Sequence, residues 1–272
     1  MSFIRDFRLI VYDSRDSLLL DIKPPTRISF NLQKSISGGL NKLNARIYGL
    51  IERNRNILTK DVEKDKLIKV ILLIGHQGKI KQVFLGNLHR GNVSLSDDGF
   101  ISEIECYDGG YDLQKSFTSK TVYGGQESVR AIIDDMPNTE VGKITQPDNL
   151  IRPRLLVGNS VGLLKTLKKN NQDFFIDDNK VYLINNDDTI NDYRVQVNSK
   201  TGLMTTPTQE QRKVNFDMII NADIKMANLI VLESDVDVRL SGVHRVVAIN
   251  YQGDNFGEDW KMSVECYKLG TF

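Results

Sequence analysis

The chain is poor in the residues that most often carry chemistry. Two cysteines, Cys106 and Cys266, stand far apart in 272 residues, each inside a strand-like run and neither in a Cys-x-x-Cys pair. That spacing argues against a redox motif or a cysteine metal site and predicts two free thiols packed as small hydrophobes. Three histidines, His76, His89 and His244, fall in separate segments. Only His76 and His89 could meet, across a hairpin, and surface or packing roles are expected for all three. Neither sign of charge is in excess, with 36 Lys and Arg against 35 Asp and Glu, so composition supplies no field to gather phosphates or anionic lipid. Long apolar runs are missing too. The densest, residues 67–75, contains Lys69 and falls well short of the roughly eighteen residues that a membrane helix needs. The opening residues Met1-Ser2-Phe3-Ile4-Arg5-Asp6 lack the order of a secretory signal, so the expectation is a protein made in the cytoplasm and making no membrane contact.

Enzyme motifs are equally scarce. There is no Gly-x-Ser-x-Gly elbow, no Gly-x-x-x-x-Gly-Lys-Ser/Thr loop and no His-Glu-x-x-His. Adjacent acids recur at Asp97-Asp98, Asp134-Asp135, Asp177-Asp178 and Asp187-Asp188. Side chains at i and i+1 of an extended segment point to opposite faces, so these pairs read as turn residues and not as acid and base. Residues 253–259, Gly-Asp-Asn-Phe-Gly-Glu-Asp, are rich in oxygen but lack EF-hand spacing, and a Gly-rich hairpin explains them. The basic cluster Lys165, Lys168 and Lys169 has no stacking aromatic before Phe174 and reads as a solvated helix face. The expectation is a chain with no catalytic residues, no cofactor and no metal.

Present throughout is period-two alternation, the mark of strands with one buried and one wet face. Strands are predicted at Ile28-Phe30-Leu32, at Ala45-Ile47, over 68–74, 80–88, 93–95 and 101–107, with turn chemistry at Ser96-Asp97-Asp98-Gly99. A short helix is predicted over 51–58, with Ile51 and Leu58 inward. Asp108-Gly109-Gly110 and the Ser/Thr/Lys stretch from Ser116 to Lys120 read as a connecting loop. Helical patterns follow at 126–136 and 160–170, the second capped by Asn159 or Ser160. Phe174-Phe175-Ile176 and residues 181–184 flank the turn residues 177–180 as a tight hairpin. Later strands are predicted at 193–197, 229–232, 236–240, 243–251 and 260–269, the last alternating Trp260, Met262, Val264 and Cys266 with Lys261, Ser263 and Glu265. No short-period repeat is evident. The fold class expected is mainly β with an α+β middle segment: a first antiparallel β-barrel with a short helix over 1–112, an α+β domain over 113–190, and a second barrel over 191–272.

Several of these segments, in order, resemble the hub proteins of contractile phage baseplates, whose tail-tube-like barrels also occur in type VI secretion spikes. Residues 28–34 and 44–50 resemble the hub's opening strands, with Gly49 where the family commonly shows Asn. Residues 70–76 and 83–86 match a strand ending in Gly-Tyr followed by Phe-x-Gly, here Gly75, then Phe84 and Gly86, with His76 replacing Tyr. Residues 124–129 and 158–160 resemble the family's paired helix starts. The strongest match is Thr201, Gly202, Leu203 and Pro207 to Thr-Gly-Leu-x-x-x-Pro, with Asn215-Phe216 opening the strand segment that follows. Gly253, Asp254, Gly257 and Trp260 echo a closing Gly-Asp-x-x-Gly-x-x-Trp hairpin.

The resemblance implies two tail-tube-like antiparallel β-barrels per subunit and a structural homotrimer. Its pseudo-hexameric ring would adapt a sixfold tail tube to a threefold central spike. Expected partners are the central spike protein, the tail tube or tube-initiator protein, the tape-measure protein and baseplate wedge proteins, with DNA passing only as non-specific cargo through the lumen. The expected location is the virion tail baseplate, assembled in the host cytoplasm. Two alternatives stay open: a tail-associated cell-wall hydrolase, and a receptor- or carbohydrate-binding virion protein using Tyr107, Tyr111 and Tyr123.

Overall fold

The computed structural model describes residues 4–37, 40–59, 67–76, 78–97, 99–145 and 153–269. The predominance of strands follows the period-two pattern. β1 (Arg5–Tyr12) and β2 (Leu18–Ile22), not anticipated from sequence, form a hairpin with Phe7, Leu9, Val11, Leu20 and Ile22 facing the core. β3 (Ile28–Ser35) and β4 (Lys42–Tyr48) alternate as expected. α1 (Glu52–Thr59) buries Leu58, but Ile51 precedes the helix and is exposed, against the inward placement expected of it. After β5 (Lys69–His76), the two short strands expected at 80–88 and 93–95 are one strand, β6 (Lys79–Ser96). A bulge near Leu88 and Arg90 re-aims β6 without ending it, and the apparent break in sequence is this bulge. β7 (Gly99–Tyr107) completes the hairpin; Asp98 of its expected turn lies outside the described residues.

The middle segment is α+β. It contains α2 (Gly110–Lys115), β8 (Phe117–Val122), α3 (Gly125–Ile133), β9 (Glu140–Ile144), β10 (Arg154–Asn159), α4 (Ser160–Thr166), β11 (Gln172–Asp177) and β12 (Lys180–Asn185). The loop expected from residues 108–110 and 116–120 is thus corrected: α2 begins at Gly110, and 117–120 are strand in β8. The pairing partner of β8 is β10, too distant in sequence to signal locally. Both predicted helices stop early, although Met136 is buried just beyond α3. Asn159 caps α4 by accepting a hydrogen bond from the Gly162 amide at 3.0 Å. The β11–β12 hairpin forms as predicted, with Asp178 and Asn179 at positive φ in its tip.

The final third holds β13 (Arg194–Val197), β14 (Thr208–Glu210), β15 (Lys213–Ile219), β16 (Leu229–Leu232), β17 (Gly242–Asp254) and β18 (Trp260–Lys268). The strand expected at 236–240 is instead a 3-10 turn, Val238–Leu240, with Val236 and Val238 exposed. Asp237 caps it by accepting from the Arg239 amide at 3.0 Å, a local bond that competes with strand pairing.

Thirteen strands share one sheet, ordered β14-β15-β18-β17-β3-β4-β7-β6-β5-β1-β2, with β16 on β17 and β13 on β16. The path is open at β14 and β2 among the described residues. One hydrophobic cluster serves both outer thirds of the chain, and a second, from Val122 to Leu183, serves the middle segment.

Within this sheet the strand order repeats. The ladder β3-β4-β7-β6-β5 has a counterpart in β14-β15-β18-β17-β16, with every neighbouring pair antiparallel. The registers agree residue by residue. Lys42, Leu43 and Asn44 oppose Tyr107, Cys106 and Glu105, as Lys213, Val214 and Asn215 oppose Tyr267, Cys266 and Glu265. Both long strands bulge at the same point, Leu88/Arg90 and Val246/Ala248, each opposite a Cys and Glu pair. Leu88 N–H donates to Ile68 O and Val246 N–H to Asn228 O, both at 2.9 Å. The two cysteines are therefore equivalent core positions, both fully buried and free, and burial raises both thiols.

Candidate functional site

Alternation gives the sheet one apolar face and one polar face, and the polar face runs unbroken through both repeats. Register carries Asp217, Ser263, Asn250, Gln33 and Lys42 in one row across β15, β18, β17, β3 and β4. Lys261, Gln252, Asn31, Asn44 and Glu105 form the next row, across β18, β17, β3, β4 and β7. A cleft of about 650 Å³ over β3, β4, β6, β7 and β17 is lined by such residues, among them Asn31, Asn44, Arg46, Arg90 and Glu103.

Charges on this face are matched across strands. Lys42 pairs with Glu105 at 2.9 Å, Arg46 with Glu103 at 2.9 Å, Lys213 with Glu265 at 2.6 Å and Lys261 with Asp217 at 3.2 Å. The hydrogen bond from Lys42 holds the Glu105 carboxyl below its usual range, outweighing desolvation. A face so balanced is wettable, yet it offers no excess cation for phosphate.

The sequence-predicted motif residues fall in three places. Gly75 ends β5 beside the β5–β6 turn, and Phe84 and Gly86 lie on β6, with Phe84 fully buried. Gly253, Asp254, Gly257 and Trp260 gather at the β17–β18 tip, against β3. Trp260 meets Phe30 edge to face, ring centroids 5.5 Å apart. A side chain at Gly253 would come within 2.5 Å of the Phe30 ring and 2.9 Å of Trp260, so only glycine lets these rings cross the strand. Asp254 accepts from Phe256 N at 2.9 Å and Arg27 at 3.0 Å, while Arg5 donates to the carbonyls of Asp254, Gly257 and Glu258. Guanidinium groups thus engage the loop oxygens that suggested calcium. His76 lies 6.5 Å from Trp260 by ring centroids, which joins the Gly75 region to this second place.

The third place lies beside the second, because Gly202 O accepts from the Ile219 amide at 2.9 Å and Ile219 opposes Lys261, the neighbour of Trp260. Thr201 closes a capping box with Asn198, Gly202 turns left-handed at φ 105°, and Leu203 bridges to Met218. Pro207 is buried one residue before β14, so this motif delivers the chain to an edge strand.

Sequence reasoning missed a buried polar junction that fixes the middle segment to β3. Lys34, almost wholly buried, donates to Asp177 at 2.6 Å. Asn41 donates to Asp177 at 3.0 Å and Asp108 at 3.3 Å, and Asp108 accepts from the amides of Asp178 at 2.7 Å and Asn179 at 2.8 Å. Desolvation alone would lower the Lys34 ammonium, but Asp177 and then Asp178 outweigh it and raise it. Burial, reinforced by Asp177, pushes the Asp108 carboxyl up to about 8, against the opposing pull of Lys34. Lys34 standing at an inward position of an alternating strand was the one available signal.

His76 and His89 sit toward opposite ends of β6's pairings, and His89 instead bonds Gln114 at 2.8 Å and packs edge-on to Tyr107. Among the described residues no three His, Cys, Asp or Glu side chains converge to hold a metal ion. Of the three tyrosines proposed for an adhesin, only Tyr123 is largely exposed.

Residues 17–266 match the family described as baseplate hub gp41. Solved structures with the same fold include a 43 kDa tail protein of prophage MuSo2 from Shewanella oneidensis, with TM-score 0.65, 8% identity and 96% of each chain covered. A tail protein from Neisseria meningitidis MC58 gives TM-score 0.68 at 8% identity over 97% of each chain. The E. coli c3393 protein, a type VI secretion component described as structurally similar to T4 tail proteins gp27 and gp5, gives 0.61 at 8% identity over 91% of this chain and 75% of that one. No curated protein matches the chain in sequence.

Proposed function

The chain belongs to the baseplate hub gp41 family, and from that premise we propose that it is a hub subunit of a contractile tail, three copies of which form a pseudo-sixfold ring between tail tube and central spike. The carrying observation is the internal repeat: two five-strand ladders with matching registers and bulges on one chain. Three chains then present six similar ladders, which lets a threefold assembly imitate a sixfold one. In this reading the segments 1–112 and 191–272 supply the two tube-like barrels, and 113–190 is the α+β domain braced on β3 through Lys34. The polar face lines the lumen, and its matched charges let DNA and the tape-measure protein pass without adhesion. The family's structural role and this use of the sheet disfavour the hydrolase and adhesin alternatives.

The test is the mass in solution of the purified chain, alone and mixed with the spike protein of the same tail. Three times the 30.9 kDa of one chain is expected in at least one of the two samples. A persistent monomer in both would overturn the proposal.

A further inference from the structure

The two long hairpins are equivalent, but only one of them is covered. β17 carries β18 on one edge; its other edge holds β16 up to Arg245 and β3 from Ala248 to Asp254. β6 likewise carries β7 on one edge and β5 on the other as far as Asn87. Beyond the bulge, residues 90–96 have no strand on that second edge among the described residues. The counterpart of β3 in the second repeat is β14, whose outer edge is also unpaired among the described residues.

Side-chain burial shows the same mismatch. Opposing residues identify Tyr251, Gly253 and Trp260 as the counterparts of Val93, Leu95 and Phe100. Tyr251 and Trp260 are 1% and 7% exposed, whereas Val93, Leu95 and Phe100 are 37%, 72% and 43% exposed. A surface built to be covered in one repeat stands open in the other.

We propose that the edge of β6 over residues 90–96 pairs antiparallel with β14 of a second copy of this chain, repeating between subunits the junction that β17 and β3 make within one. This deepens the ring reading and rests on it. Transferring the β17–β3 register places Ser94 opposite Thr208, Val93 opposite Gln209 and Asn92 opposite Glu210. The contact is heterologous, joining different patches on the two copies, so it propagates from copy to copy and, where the rotation closes as the proposed ring requires, ends in a ring and not an isolated dimer. Leu95 would meet Pro207, which lacks an N–H, so the junction is shorter than its internal template.

Along β3 the even-numbered residues turn their backbone groups toward β17, as Ile36 N–H to Val247 O and Asn255 N–H to Ile28 O show. Asn31 and Gln252, the template for Thr208 and Ser94, are therefore a non-hydrogen-bonded pair, with Cα atoms about 4.5 Å apart, a separation a disulfide can bridge.

The experiment mixes two full-length variants that each carry one added cysteine, Ser94→Cys and Thr208→Cys, under oxidised glutathione, with and without the spike protein. Mixed disulfide dimers are expected, at least tenfold more abundant than in either variant alone, because each variant alone places its new thiols at different interfaces. The native thiols are buried and do not compete. Leu95→Lys, at an exposed position that leaves the subunit fold intact, should raise the concentration for half-assembly at least tenfold. Trimers without cross-links would overturn the strand pairing and leave the ring reading standing. Monomers without cross-links would overturn both.

Discussion

The two repeats share a ladder, a bulge and a cross-strand ion pair, yet they differ in what lies beyond the bulge. In the second, β3 crosses the outer half of β17 and seals Tyr251 and Trp260. In the first, the matching half of β6 ends in open apolar positions. The difference teaches that burial here is set by the neighbour a strand receives, because the two hairpins have the same alternation and the same register. Under the proposed strand pairing it also separates residues that hold the subunit together from residues that join subunits.

Truncating one aromatic in each repeat should separate the two most widely. Trp260→Ala empties a packed junction against Phe30 and is expected to cost about 3–5 kcal/mol in urea unfolding of the isolated subunit. Phe100→Ala, at the matching position, removes a partly exposed ring with the Arg55 guanidinium 3.8 Å from its centroid, and should cost about 1 kcal/mol or less. If the two losses prove equal, Phe100 is already sealed within one chain and the distinction fails.

Next in size is the polar junction, which only the first repeat has. The counterpart of Lys34 is Gln211, exposed in the β14–β15 turn at φ 55°. Lys34→Met leaves Asp177 buried without its cation and is expected to cost about 3 kcal/mol or more, whereas Gln211→Asn should stay within about 0.5 kcal/mol. The loss should deepen with pH. Asp108, near 8 when folded and near 4 when unfolded, keeps a proton in the folded state that the unfolded chain releases between those values. Its contribution is full below about pH 4 and is lost as pH rises through about 8. Without the opposing pull of Lys34 the Asp108 carboxyl moves up further, so the folded variant goes on losing stability with pH where the parent levels off, and unfolding midpoints at pH 5 and pH 8.5 should diverge more in the variant than in the parent chain.

Much of this architecture was legible because its signals are local: β3, β4, β7, β17 and β18 stand where apolar residues alternate with polar ones, and β11 and β12 where apolar runs flank the turn residues 177–180. What escaped depends on partners distant in sequence. β8 reads as a Ser/Thr/Lys loop because the strand that pairs with it comes a whole helix later, and β6 reads as two strands because its bulge breaks the alternation. The repeat was nearly visible in Glu105-Cys106-Tyr107 and Glu265-Cys266-Tyr267, but three residues so far apart carry no weight until register shows that each Cys opposes a buried Leu or Val of the neighbouring strand. The motif residues around Trp260 could be named from sequence, whereas Asn41, Asp108 and Asp177 could not; of the polar junction only Lys34 left a signal, at an inward position of β3, and its counter-charge is distant in sequence.

The smallest expected effect tests the equivalence itself. Lys42–Glu105 and Lys213–Glu265 occupy the same ladder position in the two repeats, both partly exposed, at 2.9 and 2.6 Å. Partly exposed pairs of this kind couple by about 0.2–1 kcal/mol, because water screens the charges and both side chains lose freedom. Double-mutant cycles, pairing Lys42→Met with Glu105→Gln and Lys213→Met with Glu265→Gln, should give coupling energies within about 0.5 kcal/mol of each other, both falling as salt rises. The Tyr107 hydroxyl donates to Glu105 at 2.9 Å and should place any residual difference on the first pair. Equal couplings mean that the ladders match in energy as well as in register, which is what a ring built from alternating repeats requires of its inner wall. A difference beyond about 1 kcal/mol would mean that the two repeats present chemically distinct surfaces, and the sixfold imitation would then be one of shape alone.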